Sequence, residues 1–318
     1  MSEVKKLTHV VSFSGGRTSA YLVYLMERAR REFNWDVRYI FCDTGVEAPA
    51  TYKFIRDIIK FWGIDLIILR AKVSPKLGVG NTYEVFEPTD LMNTVKMPPF
   101  EPMMSMMVKY GTPTAMGAYC SERMKKDVAE RYCKDHFGKN NYVTWLGIRV
   151  DEPKRLKPKP GIKYLADLVP MVDKQDILEW WSHQPFDLEL NGEHEGNCLF
   201  CCKKSTSKLA LAIKQNPHFY RMWKYHLESK KIRVKESYDP LIMYRGHLSL
   251  TGIAEMYADS TEEEIRSTMR SQKRYESGNC TESCEAFKAE DEVNFEVVET
   301  KIYKQFELQL GQLQLAFA

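Results

Sequence analysis

The first residues that could do chemistry form a short loop of glycines, hydroxyls and one cation: Ser14, Gly15, Gly16, Arg17, Thr18 and Ser19. Glycines let the backbone approach an anion, and the helix-like pattern that follows would present N–H groups to it. Arg17 could pair with a phosphate through two hydrogen bonds. The loop therefore predicts phosphate binding, although a plain glycine turn with Thr18 or Ser19 as the N-cap gives the same pattern.

Polar residues also follow the second and fourth predicted strands. After the second come Asp43, Thr44, Gly45 and Glu47, and after the fourth come Gly147, Arg149, Asp151 and Glu152. Because the carboxyl ends of parallel strands meet at one edge of a sheet, we expect these residues beside the glycine loop. Asp43 could bind a ribose hydroxyl or a metal-bound water, and an ordinary Asp-Gly turn is the alternative.

The cysteines are unevenly distributed: Cys42, Cys120, Cys133, Cys198, Cys201, Cys202, Cys280 and Cys284. The Cys198–Cys201 pair has the CxxC spacing that binds zinc, binds an iron–sulfur cluster or acts as a dithiol. Spacing alone slightly favours zinc, held by that pair together with Cys280 and Cys284. We expect Cys42 and Cys133 to be buried thiols without a chemical role.

Composition restricts the classes of protein. The 318 residues are 44% hydrophobic and 28% charged, which is typical of a soluble globular protein, and the net charge of +3 is too small to imply nucleic-acid binding by itself. We find no apolar run long enough for a membrane span and no signal-peptide pattern at the N-terminus, so we expect a cytoplasmic protein that makes no membrane contact. The basic loop at 154–163 could lead an anionic substrate, even nucleic acid, to the site, or it could be a solvated loop.

The elements that must position these residues alternate between strand and helix. Apolar runs at 9–13, 37–42, 66–69 and 141–148 predict strands, and amphipathic patterns between them predict helices. This order predicts an α/β fold with a doubly wound, mostly parallel sheet. We expect His194, in a polar stretch at 192–195, to lie in a solvent-exposed loop.

The chain divides into three predicted regions. Residues 1–170 form an α/β nucleotide-binding domain with an insertion at 71–118, and residues 171–285 form a helical, cysteine-rich region. The segment 286–318 alternates apolar and polar residues, which predicts strands or a hairpin, with a terminal helix as the rival. This appendage could dock on the domain or on a second copy of the chain in a homo-oligomer.

Four segments, SFSGGRTS, FCDTGVEAPATYKFI, YCSERMK and LGIRVDEPKR, occur in this order and resemble the phosphoadenosine phosphosulfate (PAPS) reductase family. That family belongs to the adenine nucleotide alpha hydrolases with a pyrophosphate-binding loop, and the GNCLFCCKKS segment resembles its bacterial and phage members. The resemblance covers roughly 8–285. It implies a five-stranded parallel sheet with an adenine nucleotide across the glycine loop, lined by Asp43, Thr44, Gly45 and Glu47.

The resemblance also implies catalytic groups and a cofactor. Arg149, Asp151 and Glu152 match an element near phosphate or sulfate, and Lys125 matches a basic position of the family. Cys120, Cys198 and Cys201 match ligands of a four-iron, four-sulfur cluster. The fourth ligand must come from elsewhere, with Cys284 our first choice, Cys280 the next and Cys202 the third, and zinc remains the alternative metal.

The resemblance leaves three functions open. ATP-dependent sulfur transfer is favoured, with a thiol or sulfur donor protein as partner. Reduction of an adenylyl sulfate with release of sulfite is the second, and a non-catalytic nucleotide-binding module with structural zinc is the third. Thr18 stands where pyrophosphatase members of the group commonly have Asp, which puts a loop-bound magnesium ion in question.

Overall fold

The computed structural model describes residues 7–87, 100–115, 117–196, 198–234, 244–245, 247–275 and 311. Its strands form one sheet: β1 (Thr8–Ser12), β2 (Asp36–Cys42), β3 (Leu66–Lys72), β4 (Thr82–Phe86), β5 (Tyr142–Leu146) and β6 (Ile162–Tyr164). The spatial order is β4-β3-β2-β1-β5-β6. All neighbouring pairs are parallel except β3 with β4, so the predicted doubly wound fold and its five parallel strands are confirmed.

Two strands lie where the sequence predicted none. The antiparallel edge strand β4 falls inside the predicted insertion at 71–118, and the short β6 begins at the end of the basic loop. Both strands are short. The central residues of β4 are exposed, so it lacks the apolar run that revealed the buried strands.

The helices cover both faces of the sheet: α1 (Arg17–Phe33), α2 (Pro49–Trp62), α3 (Glu101–Tyr110), α4 (Asp127–Phe137), α5 (Leu165–Leu168), α6 (Lys174–Ser182), α7 (Thr206–Gln215), α8 (Pro217–Leu227), α9 (Leu250–Met256) and α10 (Glu262–Tyr275). A π-helical turn at Ser121–Lys126 leads into α4. Helices α6 to α10 lie in the region at 171–285 that the sequence predicted to be helical.

Alternate side chains of the strands enter two hydrophobic clusters, as expected for a parallel sheet that is buried on both faces. On β1, Val11 packs with α1 and α2, whereas Val10 packs on the opposite face. The cluster around Val10 also contains Leu209 of α7 and Ile253 of α9. The helices after residue 200 therefore share a core with the sheet, while the proposed domain boundary at 170 stays a prediction.

No helix in the described ranges is long and apolar enough to cross a membrane. The alternating segment at 286–318 lies outside the described residues apart from Gly311, so its predicted strands or hairpin stay a prediction.

Candidate active site

A cleft of about 290 Å³ opens at the carboxyl end of the sheet, beside the ends of β1 and β5. All six residues of the glycine loop line it, together with five other residues that the sequence singled out: Glu47, Lys125, Gly147, Arg149 and Glu152. The topology thus brings the three predicted strand ends to one place. Asp43, Thr44, Gly45 and Asp151 do not line the cleft. Thr44 hydrogen-bonds to Glu47 and Asp151 to Arg149, both of which line it, whereas Asp43 and Gly45 lie in the turn before Glu47.

The glycine loop is held in shape by its own hydroxyls. Ser19 Oγ receives a hydrogen bond from Ser14 N over 3.2 Å and donates to the carbonyl oxygen of Gly16 over 2.9 Å. Gly15 has a φ of +79°, and a Cβ there would lie 2.6 Å from Thr51 Cγ2. Gly16 is the N-cap of α1 and makes no side-chain cap bond, so neither Thr18 nor Ser19 fills that role. The first turn of a helix of this length favours an anion at its N-terminus.

Gly147, just after β5, allows the loop to lie against the strand end. A Cβ at Gly147 would meet Ser19 Cα at 2.9 Å and Ser19 N at 3.0 Å, both backbone atoms. The sequence pattern placed Gly147 at the site, but this close approach explains why the position requires glycine.

Arg149 provides a cation at the phosphate loop. Its Nη1 donates to Thr18 Oγ1 over 2.9 Å, and its Nε donates to Asp151 Oδ1 over 2.8 Å. Glu152 accepts a hydrogen bond from Arg149 N at 3.2 Å and forms a close ion pair with Arg155. Asp151 and Glu152 therefore hold two guanidinium groups at the cleft, where a phosphate could pair with them.

Arg17 lies in the loop, but its guanidinium is bound by Asp187. Nε and Nη2 of Arg17 donate to Asp187 Oδ1 and Oδ2 at 2.7 and 2.9 Å, and Nη2 also donates to Leu188 O at 2.6 Å. This bidentate pair fastens the loop to the segment after α6. Asp187 is separated from Arg17 by 170 residues, and no local pattern marks it.

Asp43 is completely buried behind the cleft. It accepts hydrogen bonds from Tyr52 Oη at 2.7 Å, Gly45 N at 2.9 Å and Arg70 Nε at 2.7 Å. Burial raises the pKa of Asp43, and the nearby charge of Glu47 raises it further. In this structure Asp43 orders the turn after β2, whereas the sequence suggested a contact with ribose.

Glu47 lines the cleft and also a second cavity, so it lies between the two. Its Oε1 accepts a hydrogen bond from Thr44 Oγ1 at 2.7 Å and lies 3.4 Å from Lys125 Nζ. Glu47 also forms an antiparallel bridge with Cys198, whose Sγ lies 3.9 Å from the same carboxylate oxygen. The CxxC segment is thus attached to the strand end that forms the cleft.

The second cavity, of about 30 Å³, is mostly apolar and contains the thiols. Four cysteines line it: Cys120, Cys198, Cys201 and Cys202. A turn closes between Cys198 and Cys201, where Cys201 N donates to Cys198 O at 3.2 Å. Burial raises the pKa of Tyr244 well above its ordinary value, and the neighbouring thiols Cys202 and Cys201 raise it further.

The cavity supplies the donor chemistry of a metal or cluster site, because it gathers three of the predicted ligands and a further thiol. Among the described residues, no three His, Cys, Asp or Glu side chains converge closely enough to hold one metal ion. A four-iron cluster spreads its ligands around a larger core than one zinc ion does, so it needs less convergence. The predicted ligands Cys280 and Cys284 lie outside the described residues.

An irregular helical turn positions Lys125 at the cleft and Cys120 at the second cavity. Cys120 immediately precedes the π-helical turn at Ser121–Lys126, and Lys125 lies within it. The sequence predicted an ordinary helix over 122–137. Single π-turns are frequent at functional sites because they alter the direction of a side chain without ending the helix.

The two cysteines expected to be inert are buried in the core. Burial raises the pKa of the Cys42 thiol to about 12 and that of Cys133 still higher, so both remain thiols at neutral pH.

The expectation of an exposed loop at His194 is wrong. His194 is fully buried, its Nε2 lies 2.6 Å from Gln215 Oε1, and burial lowers its pKa. Lys204 Nζ donates to His194 O at 2.5 Å and to Leu199 O at 3.0 Å, which ties this segment to the CxxC turn. The stretch is polar in sequence, but α7 packs over it.

Comparison with known proteins was made by family model and by sequence. Residues 8–184 match the model of the phosphoadenosine phosphosulfate reductase domain. An uncharacterized nin region protein of Escherichia phage lambda is 49% identical over 290 residues, which are 91% of this chain and 98% of that protein. An uncharacterized protein of Methanocaldococcus jannaschii is 21% identical over 67% of this chain and 40% of its own length. A phosphoadenosine 5'-phosphosulfate reductase of Alteromonas mediterranea is 33% identical over 67 residues, 21% of this chain and 25% of that enzyme.

Proposed function

The chain belongs to the phosphoadenosine phosphosulfate reductase family, and on that premise we propose that it binds an adenine nucleotide in the cleft and carries out ATP-dependent sulfur transfer. The observation that carries this proposal is the position of Glu47, which lines both the phosphate-loop cleft and the cysteine cavity. A nucleotide and a sulfur centre would then meet at one residue.

The chain's own groups suit the binding of a triphosphate. The loop backbone and the N-terminus of α1 would face the phosphates, and Arg149, held by Asp151, would balance their charge. Lys125, buried beside Glu47, would act at the end of the cleft that is nearest the thiols. These roles accord with the predicted catalytic group of Lys125, Arg149, Asp151 and Glu152.

The proposed reaction has two displacements. A substrate oxygen attacks the α-phosphorus of ATP, the bond to the β,γ-phosphates breaks, and pyrophosphate leaves with the negative charge. The terminal sulfur of a donor persulfide then attacks the carbon that bears the adenylated oxygen, the carbon–oxygen bond breaks, and AMP leaves. A second thiol of the donor attacks the disulfide so formed, so the new sulfur stays on the product and the donor leaves as an internal disulfide. Arg149 would stabilise the charge that grows on phosphate oxygens in both steps.

We further propose a four-iron, four-sulfur cluster in the cysteine cavity, held by Cys120, Cys198 and Cys201 with one more thiol. When bound, such a cluster would supply a redox-active, sulfur-binding iron centre beside the nucleotide. The buried cation of Lys125 would offset the negative charge of the thiolates.

The acceptor and the donor follow from the charge near the cleft. Arg155 lines the cleft, and Lys154 and Lys157 of the same loop are exposed. These cations would attract an anionic acceptor, nucleic acid included. The proposed sulfur donor is a protein that carries a persulfide and a second thiol.

Reduction of an adenylyl sulfate is the second candidate, and two observations favour it. One is the similarity of a 67-residue stretch to a phosphoadenosine 5'-phosphosulfate reductase. The other is that Thr18 bonds to Arg149 in the phosphate loop, where a magnesium-binding enzyme would place a carboxylate. In this reaction a thiolate attacks the sulfate sulfur and displaces the nucleotide, and a second thiol then forms a disulfide and releases sulfite.

Product analysis separates the two reactions. The protein, reconstituted anaerobically with iron and sulfide, is incubated with ATP or with PAPS, with nucleic acid or deproteinised cell extract as the acceptor, and with a persulfide and excess thiol as the sulfur donor. AMP and pyrophosphate formed in the ATP reaction support sulfur transfer, whereas sulfite formed from PAPS with a dithiol supports the reductase. If neither set of products appears, both reactions are wrong for this chain.

A further inference from the structure

We propose that Cys202, which directly follows the CxxC pair, is the fourth thiol ligand of the centre in the cysteine cavity, in place of Cys284 or Cys280. The inference rests on the cluster that the proposed function includes, and it deepens that function by assigning the incomplete ligand set. The sequence ranked Cys202 third, after Cys284 and Cys280, both of which lie outside the described residues. The position of Cys202 in the cavity wall is the observation that selects it.

The first observation is the cavity itself. Cys202 lines the same cavity as the three expected ligands, and only 3% of its surface is exposed. The cavity wall therefore already contains four thiols without any contribution from residues beyond 275. Four thiolates are the ligand number that a four-iron cluster needs.

The second observation is how firmly this segment is held. Cys201 N donates to Cys198 O at 3.2 Å, and Lys204 N donates to Cys201 O at 3.0 Å, so a turn on each side of Cys201 fixes the backbone. Turns allow successive side chains to face one space, whereas an extended strand would send Cys201 and Cys202 to opposite sides. Both cysteines line the cavity, as the turn permits.

The third observation concerns the polar group beside Cys202. Tyr244 Oη donates a hydrogen bond to Phe200 O and accepts one from Trp223 Nε1 at 3.1 Å. These three residues all line the cavity. The wall of the cavity that contains Cys202 thus also holds a buried, hydrogen-bonded polar group.

The decisive variants remove the late cysteines and leave the cavity unchanged. The double variant C280S/C284S, reconstituted anaerobically in the full chain, should keep about four iron atoms and four labile sulfides per chain and the wild-type visible and Mössbauer spectra. C202S should lose most of its iron and sulfide. C133S is the matched control, because Cys133 is equally buried but does not line the cavity, and it should keep the wild-type content.

The outcomes are distinct. Loss of the cluster from C280S/C284S, with a wild-type melting temperature, overturns the assignment of Cys202 and leaves the cluster itself in place. A folded C202S protein with full iron content and an unchanged Mössbauer spectrum overturns it too. If C202S fails to fold, the double variant alone decides. Wild-type protein that takes up one zinc and no iron and sulfide refutes the cluster in the proposed function, and the ligand assignment fails with it.

Discussion

Arg149 and Thr18 join the end of β5 to the phosphate loop through a hydrogen bond of 2.9 Å between Nη1 and Oγ1. Asp151 holds the same guanidinium from the other side at 2.8 Å, and Arg149 is only 8% exposed. A cation therefore stands at the loop before any ligand binds. This preorganised cation supports the proposal of an anion site at a loop that has no side-chain carboxylate of its own.

Replacement of Arg149 by alanine should weaken the binding of ATP and of PAPS by about 10- to 100-fold, because a charged hydrogen bond contributes about 1.5–3 kcal/mol. Asp151 is partly exposed, so the variant leaves no fully buried carboxylate behind. Titration calorimetry measures the affinity. R28A, which alters an exposed arginine in α1, is the control and should bind as wild type does. An R149A affinity within about twofold of wild type would show that Arg149 does not bind the phosphates.

Thr18→Asp should make nucleotide binding depend on magnesium. A carboxylate at this position would repel the phosphates and would pair with Arg149, so in EDTA the affinity for ATP should fall by about tenfold or more. Added magnesium should restore it by bridging carboxylate and phosphate. For wild type and for the control T18S, we expect a change of less than about threefold between the two conditions. Wild-type binding that is abolished by EDTA would contradict this account of the loop.

Gly147→Ala should damage both stability and binding. The added Cβ would lie 2.9 Å from a backbone atom of Ser19, so the loop must move away from β5. We expect the free energy of unfolding to fall by about 1–3 kcal/mol, as in other overpacked sites, together with a loss of nucleotide affinity. Denaturant titration and calorimetry measure the two effects. In the control G80A the new Cβ meets no atom within 4 Å, and a variant G147A as stable as G80A would refute the close approach.

Local signals predicted much of the fold. The predicted helix between the second and third strands is present as α2, which begins at Pro49 and ends at Trp62. A proline at the first position of a helix is a signal that the sequence itself carries. The buried parallel strands were found for a similar reason, since each is a continuous apolar run. The exposed β4 has no such run and was missed.

The position of the candidate site could be predicted from the sequence, whereas many of its side-chain contacts could not. The three strand ends converge because parallel topology requires it, and that rule needs no knowledge of side chains. The partners of the charged groups depend on distant chain segments: Arg17 binds Asp187, and Asp43 binds Arg70. No periodicity or spacing encodes such pairs, so the predicted roles of Arg17 and Asp43 in ligand binding did not include these protein partners.

The stability of the sheet should fall in mild acid because of His9 in β1. His9 stacks on Trp35 with ring centroids 4.0 Å apart, and its Nδ1 accepts a hydrogen bond from Trp145 Nε1 at 3.1 Å. Burial lowers the pKa of His9 from 6.5 to about 3. Between these values the unfolded chain binds a proton that the folded chain does not, so stability is complete above the unfolded pKa and is lost as the pH falls.

We therefore expect the free energy of unfolding of the wild type to fall by about 2 kcal/mol between pH 7.5 and pH 5 because of His9. This figure comes from the 1.5 pH units that separate pH 5 from the pKa of His9 in the unfolded chain. In H9N the amide oxygen can still accept from Trp145, but the side chain does not titrate, so this part of the pH dependence should vanish. Urea titrations at the two pH values provide the measurement. The control H183N alters an exposed histidine at the end of α6 and should keep the wild-type dependence. If the free energy of unfolding changes equally with pH in H9N and in wild type, His9 takes up its proton in the folded chain. That outcome would contradict the stacked and buried ring.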